Sequence, residues 1–447
     1  MQTPICDFVN NYAQSDALRL HMPGHKGTSF LGIEPYDITE IDGADSLYEA
    51  TGIIAESEAN ASALFGAQTL YSTEGSSLCI RAMLYLAVLH ARKNGKKPII
   101  AAGRNAHKAF LSAAALLDFE VLWLYPKDSE SYLSCAVDMQ NLERRLSKGE
   151  ETPTAVYLTS PDYLGNIVDI RAIAEVCRNH GVLLLVDNAH GAYLKFLPES
   201  QHPIDLGADL CCDSAHKTLP VLTGGAYLHI SESAPELFAQ QAKNALVMFG
   251  STSPSYLILQ SLDLANKYLE EGYAERLSRF VLQVQQCKKR LLAHGYCLKG
   301  DESLKLTIDT KAYGYEGGAF AVRLRELHIV CEFADPDFVV LMLTPETGEE
   351  GLRQMEEALL SIPQCPALLE KPPVFGMPEC VMSVRDASFS ASEVIPSRES
   401  IGRVLAAASV GCPPAVPIVV CGERIDDTAV DSFAYYGIET CNVVKEV

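Results

Sequence analysis

Between residues 55 and 270 the sequence alternates strand-like with helix-like runs, and one of them, "VLLLV" at 182–186, is apolar at every position. Successive side chains of a strand point to opposite faces, so a wholly apolar strand must be covered on both. "PIIAA" (98–102), "EVLWLY" (120–125) and "TAVYLTS" (154–160) read as further strands, as do "GADLCC" (207–212) and "VLTGGAYLHI" (221–230). "EANASALFGA" (58–67), "SSLCIRAMLYLAVLHARKNG" (76–95) and "DIRAIAEVCRNHG" (169–181) read as helices, with Asp169 as an N-cap and Gly95 and Gly181 as stops. This alternation predicts an α/β fold with a mainly parallel sheet covered by helices. Ligands bind such sheets beyond the carboxyl ends of the strands. The sequence places "YSTEGSS" (71–77), "RNAHKA" (104–109), "PDYLGN" (161–166), "DNAHGA" (187–192) and "DSAHKTLP" (213–220) at such positions.

Composition removes several function classes. Among 447 residues, 36 are basic and 57 acidic, a formal charge of −21 that argues against a nucleic-acid binder. The N-terminus lacks a basic segment followed by an apolar one, so no signal peptide is expected, and no apolar run is long enough to span a membrane. The 14 cysteines form no C-x-x-C pair. They read as buried, reduced thiols of a cytoplasmic enzyme, and no metal site is expected.

Lys217 poses a specific question, because it places an ammonium group in a tight turn between two apolar runs. Asp187 ends a buried strand, and "EGSS" opens a helix with small residues and hydroxyls, as phosphate-binding helix termini do. Taken singly, Asp187 reads as a turn former, His190 as a core histidine, and His107 carries no signal. Together they fit pyridoxal 5'-phosphate (PLP). That cofactor needs a lysine for its Schiff base, a carboxylate at its pyridine nitrogen, a phosphate cradle and a flat group on its ring.

The same segments carry a resemblance. With "LHMPGHKG" (20–27), "DITEIDGADSL" (37–47), "STSPSY" (251–256), "ESIGR" (399–403) and "CPPAVPIVVCGERI" (412–425), the chain resembles the ornithine/lysine/arginine decarboxylase family along nearly its whole length. The resemblance implies a fold-type-I, aspartate-aminotransferase-like PLP enzyme with helices on both sheet faces and a smaller C-terminal α/β portion. It implies an N-terminal segment 1–50 contributing to the active site and a large PLP-binding domain 51–270. A small α/β domain 271–370 and a C-terminal decarboxylase subdomain 371–447 complete the expectation.

Carried over by position, the family makes Lys217 the Schiff-base lysine, Asp187 the partner of the pyridine nitrogen and His107 the ring-stacking group. Gly75, Ser76, Ser77, Ser214 and His216 would bind the phosphate. His190 would lie near the phenolic oxygen, and Thr252 and Ser253 would reach the phosphate of a neighbouring subunit, which implies a homodimer. Ile80 stands where relatives often carry Asn. The short N-terminus resembles the branch without an extra N-terminal domain, so no large ring is expected. The implied reaction is α-decarboxylation of a basic amino acid, with arginine placed before lysine or ornithine because the short branch includes polyamine-pathway enzymes. Asp42, Asp45, Glu346, Asp386 and Glu393 are candidates for holding the substrate's cationic end. Rival readings are an aminotransferase or aldolase-type lyase on the same fold, or a catalytically silent homologue acting as a binding protein.

Overall fold

The run read as a doubly covered strand is one: Leu183–Asp187 is buried at every position. The computed structural model describes residues 1–126, 131–134, 136–147, 152–374, 376–407 and 415–446. Residues 408–410 and 411–414, which fall in "ESIGRVLAAASV" and "GCPPAVPIVVCGERI", lie outside that range. The strands that matter here are β1 (Gln68–Ser72), β2 (Ile99–Gly103), β3 (Glu120–Leu124), β4 (Ala155–Thr159), β5 (Leu183–Asp187), β6 (Leu210–Asp213) and β7 (Ala226–Ile230). The chain forms two compact units, Met1–Lys96 with Ile170–Arg276, and Lys97–Asp169 with Leu277–Val447.

In the first unit the strand order is β1-β7-β6-β5, with β5–β6 parallel and the other two pairings antiparallel. The helix Ser76–Lys93 packs across β5, β6 and β7. Its buried positions Leu78, Ile80, Met83, Leu84, Leu86 and Ala87 supply the apolar stripe that such a contact needs. In the second unit β2 is flanked by β4 and β3, both parallel to it. The pairings among these seven strands are therefore mainly parallel, with the antiparallel ones at β7, whereas the second unit's further strands pair antiparallel.

The strand read at 221–230 is shorter than expected. Its first half, "VLTGG", forms a turn and β7 begins at Ala226. Gly224 has φ +101°, and a Cβ there would stand 2.9 Å from the Thr73 carbonyl oxygen. Only glycine fits, and its conformation ends the extended run.

Two buried carboxylates anchor peripheral segments. In the first unit Asp263 Oδ2 accepts the backbone amides of Ile5 and Cys6 at 3.0 Å each, and its Oδ1 accepts the Ser57 hydroxyl at 2.6 Å. This fixes the helix Pro4–Ala13 against the helix Tyr256–Glu270. In the second unit Arg104 donates to Glu423 at 2.8 Å with both side chains almost fully buried. Arg104 also donates to the carbonyls of Pro417 and Ile418.

No described helix is long and apolar enough to cross a membrane. The described cysteines are free thiols, and burial pushes that of Cys6 up to about 12.

Removing one partner of a buried ion pair leaves the other charge without compensation. Glu423→Ala should therefore lower stability by about 3–5 kcal/mol. Urea unfolding of the full chain measures this, and a change below about 1 kcal/mol would show that Arg104 finds another acceptor.

Candidate active site

Lys217 sits in a short helical turn, Ala215–Thr218, between β6 and β7. The turn brings its Nζ to 3.1 Å from Nε2 of His190, which lies in the loop after β5 and is 4% exposed. Asp187, the last residue of β5, is 2% exposed. Its Oδ1 accepts the Ala189 amide at 3.2 Å and faces the Cys212 thiol at 3.7 Å. Lysine, histidine and aspartate thus come together at the carboxyl ends of the parallel pair β5–β6, as the topology requires.

The hydroxyl cluster closes on the same unit. The Ser214 hydroxyl donates to that of Ser76 at 2.8 Å, and both residues are buried. Ser76 and Ser77 open the helix Ser76–Lys93, whose first-turn amides have no intrahelical acceptor. Gly75 caps it with φ +71°, a backbone that excludes other residues at little strain, and its amide donates to the Gly224 carbonyl at 2.7 Å. His216 has its Nδ1 3.0 Å from the Gly225 carbonyl oxygen. Two hydroxyls thus meet at a helix N-terminus, an end whose free amides favour an anion.

Other expected site residues lie elsewhere. Thr252 and Ser253 are exposed, in the run before the Tyr256–Glu270 helix, and Ser255 rather than either of them caps that helix. The Ser251 amide donates to Glu74 at 2.5 Å, which ties this run to the loop before Gly75. His107 belongs to the second unit, as N-cap of the helix Lys108–Leu117. Its Nδ1 accepts the Ala109 amide at 3.1 Å, so a neutral ring carries its proton on Nε2. Among the carboxylates considered for the substrate, Asp45 is occupied by the amides of Ser46, Thr51, Gly52 and Ile54. Glu393 pairs with Arg403, and Asp386 accepts from Ser383.

Sequence reasoning gave no role to Asp213, although it stands in the lysine motif. It is fully buried and accepts from Asn188 Nδ2 at 2.7 Å. Nε2 of His202 and of His229 each lie 3.1 Å from its Oδ2. Burial alone would raise its pKa, but the two imidazoles outweigh that and hold the carboxyl well below the usual range. A visible signal existed: "LCCD" ends in aspartate as "LLLVD" does. The histidines, by contrast, are isolated in sequence and meet only through the fold.

A model of the Orn/Lys/Arg decarboxylase major domain matches residues 3–358. The chain belongs to the ornithine/lysine/arginine decarboxylase family. Among relatives of this family member, the arginine decarboxylase of Halalkalibacterium halodurans is 29% identical over 96% of this chain and 92% of its own length. The arginine decarboxylase of Bacillus subtilis is 28% identical over 95% of this chain and 92% of its own. Lysine decarboxylase A from Pseudomonas aeruginosa shares the fold with a TM-score of 0.81 at 17% identity, covering 99% of this chain and 80% of that one. These likenesses confirm the fold class expected for this decarboxylase.

The Asp213 cluster makes stability pH-dependent. Burial depresses the pKa of His229 below its ordinary 6.5, against the opposing pull of Asp213, whose own pKa lies below its ordinary 3.8. In both cases the unfolded chain binds more protons, so the contribution is present at higher pH and lost on acidification. Thermal melts should show stability falling as pH drops below about 6.5 and again below about 3.8. His229→Gln should remove the first step, and an unchanged profile in that variant would contradict the assignment.

Proposed function

We propose that this decarboxylase uses PLP to remove the α-carboxylate of a basic amino acid, arginine first, giving carbon dioxide and an amine for polyamine metabolism. The carrying observation is the Lys217 amine, 3.1 Å from His190, in the same unit as the buried Asp187 and the Ser76–Ser214 hydroxyl pair. The residues present fit the cofactor. Lys217 would hold its aldehyde carbon, Asp187 its protonated ring nitrogen, and Gly75, Ser76, Ser77, Ser214 and His216 its phosphate. When bound, the cofactor supplies an electron-poor ring that takes up the electron pair left at Cα.

The chain's own groups do the rest. A buried carboxylate at Asp187 would keep a proton on a ring nitrogen that otherwise loses it near neutral pH. His190 holds the Lys217 amine in place. The Lys217 amine or the His107 Nε2–H would return a proton to Cα. The relatives named arginine decarboxylase support the substrate class.

We further propose a homodimer with shared sites. Leu20 and Leu31 are 82% and 83% exposed, in an apolar N-terminal stretch that a second copy would cover. Thr252 and Ser253, exposed beside Glu74, would then serve the partner's phosphate.

Lys217→Ala should abolish both turnover and the yellow colour of the PLP-loaded protein. Borohydride trapping of cofactor on a different lysine would overturn the assignment. Asp187→Asn should retain cofactor while turnover drops on the order of 10²–10³-fold, by analogy with removing one electrostatic partner of a transition state. Product analysis tests the reaction itself, since an oxo acid in place of carbon dioxide and amine would mean transamination. Mixing inactive Lys217→Ala with inactive Ser253→Asp should restore roughly a quarter of the activity through mixed dimers. With both variants dimeric and exchanging subunits, no recovery would rule out sharing.

A further inference from the structure

Asn188 lies between Asp187 and His190 in sequence and is fully buried. Its backbone is committed on both sides. The amide donates to the Cys212 carbonyl at 3.0 Å, and the carbonyl accepts the Gly191 amide at 2.8 Å. The second bond closes a four-residue turn with Ala189 and His190 at its corners. That turn carries His190 to its contact with Lys217, Nε2 to Nζ, at 3.1 Å.

The side chain ties the same turn to the strand before Lys217. Its Nδ2 donates to Asp213 Oδ1 at 2.7 Å, and Asp213 ends β6. Its Oδ1 is buried without a hydrogen-bond partner. An open buried acceptor is unfavourable, so what this asparagine contributes is its donor. Turning the amide over would set Oδ1 against the Asp213 carboxylate, which two imidazoles keep ionised. Gly191 gives the side chain its room. A Cβ there would stand 2.0 Å from Asn188 Oδ1 and 2.7 Å from Leu194 Cδ1. Its φ is −119°, so space and not backbone conformation calls for glycine.

We propose that Asn188 is a positioning residue, which sets His190 against Lys217 through its bond to Asp213. Asp213 stands shortly before Lys217 in the chain, and Asn188 shortly before His190. One short bridge therefore holds the two segments that bring amine and imidazole together. Alanine at Asn188 keeps both backbone bonds and loses only this bridge. The placement of His190 stands on geometry alone. Its consequence for turnover rests on the role proposed for Lys217.

The first readout needs no cofactor. Lys217 of the cofactor-free full chain is modified with trinitrobenzenesulfonate across a pH series, and its peptide is quantified by mass spectrometry. His190→Ala should move the midpoint of Lys217 modification to lower pH, because an ammonium has only donors and loses its acceptor. Asn188→Ala should move it in the same direction, and Asn188→Ala/His190→Ala no further than His190→Ala alone. Gly191→Ala displaces the Asn188 side chain by an independent route and should reproduce the shift, which keeps the test decisive even where Asn188→Ala fails to fold. In the PLP-loaded chain Asn188→Ala should lower kcat on the order of 10²-fold, as misplacement by about 1 Å does, with KM little changed. A wild-type modification profile in folded Asn188→Ala, or a double variant whose shift is the sum of the two single ones, would overturn the proposal. Matched shifts with an unchanged kcat would uphold the placement and overturn the part given to the His190–Lys217 contact in the reaction.

Discussion

The first unit is organised around the buried charge of Asp213. A carboxylate with no solvent contact is several kcal/mol unfavourable unless it is compensated. Here two imidazoles and the Asn188 amide supply the compensation. Each partner comes from a different stretch of chain: Asn188 follows β5, His202 precedes the short helix Pro203–Leu206, and His229 lies on β7. Asp213 itself ends β6, and Lys217 follows four residues later. The charge therefore fixes the end of β6, just before the turn that carries Lys217, and the start of the loop between Asp187 and His190. Thr69 on β1 extends the network, with its hydroxyl 2.9 Å from Nδ1 of His229.

The second unit repeats the device with a stronger cation. Arg104 stands three residues before His107 and pairs with Glu423, while its guanidinium also lies 5.2 Å from the Trp123 ring centroid. The Lys108 amide donates to the Ala415 carbonyl, so the start of the His107 helix and the C-terminal segment are joined twice. A planar guanidinium reaches Glu423 and two carbonyls at once, which a lysine could not do with the same geometry. In each unit a buried charge pair lies close in sequence to a residue of the proposed chemistry, and rigid placement of such residues is what catalysis requires.

Much of this was legible because it is local. The wholly apolar "VLLLV" could only be a doubly covered strand, and Gly75 before two serines could only open a helix. The lysine motif made sense once its neighbours were read as one set. What escaped depends on distant meetings. His202 and His229 carry no pattern, and the value of Asp213 depends on both. Asp45 looked like a substrate carboxylate because it is acidic and lies in a family motif, yet its φ of +68° and its backbone partners make it a local anchor. The turn at "VLTGG" was masked by apolar residues on either side, and a backbone approach that no propensity reports decided it.

Buried carboxylates serve as anchors elsewhere in both units. Asp162 is closed by the amides of Leu164 and Asn166 and by the Asn166 side chain. Asp263 is closed by two backbone amides and a hydroxyl, and Glu58 by Lys243 and the Tyr71 amide. Asp263 and Glu58 join segments far apart in sequence, whereas Asp162 closes its own loop. Asp335 uses one oxygen the same way, to shape the turn before the strand Phe338–Met342. Its second oxygen is turned from solvent without a donor, in a residue that lines a cavity with no basic side chain among its lining residues. A buried acceptor left open is unfavourable by about 1–3 kcal/mol. Glu423, an anchor of the second unit, likewise keeps Oε1 without a donor, so an open oxygen accompanies a structural role here.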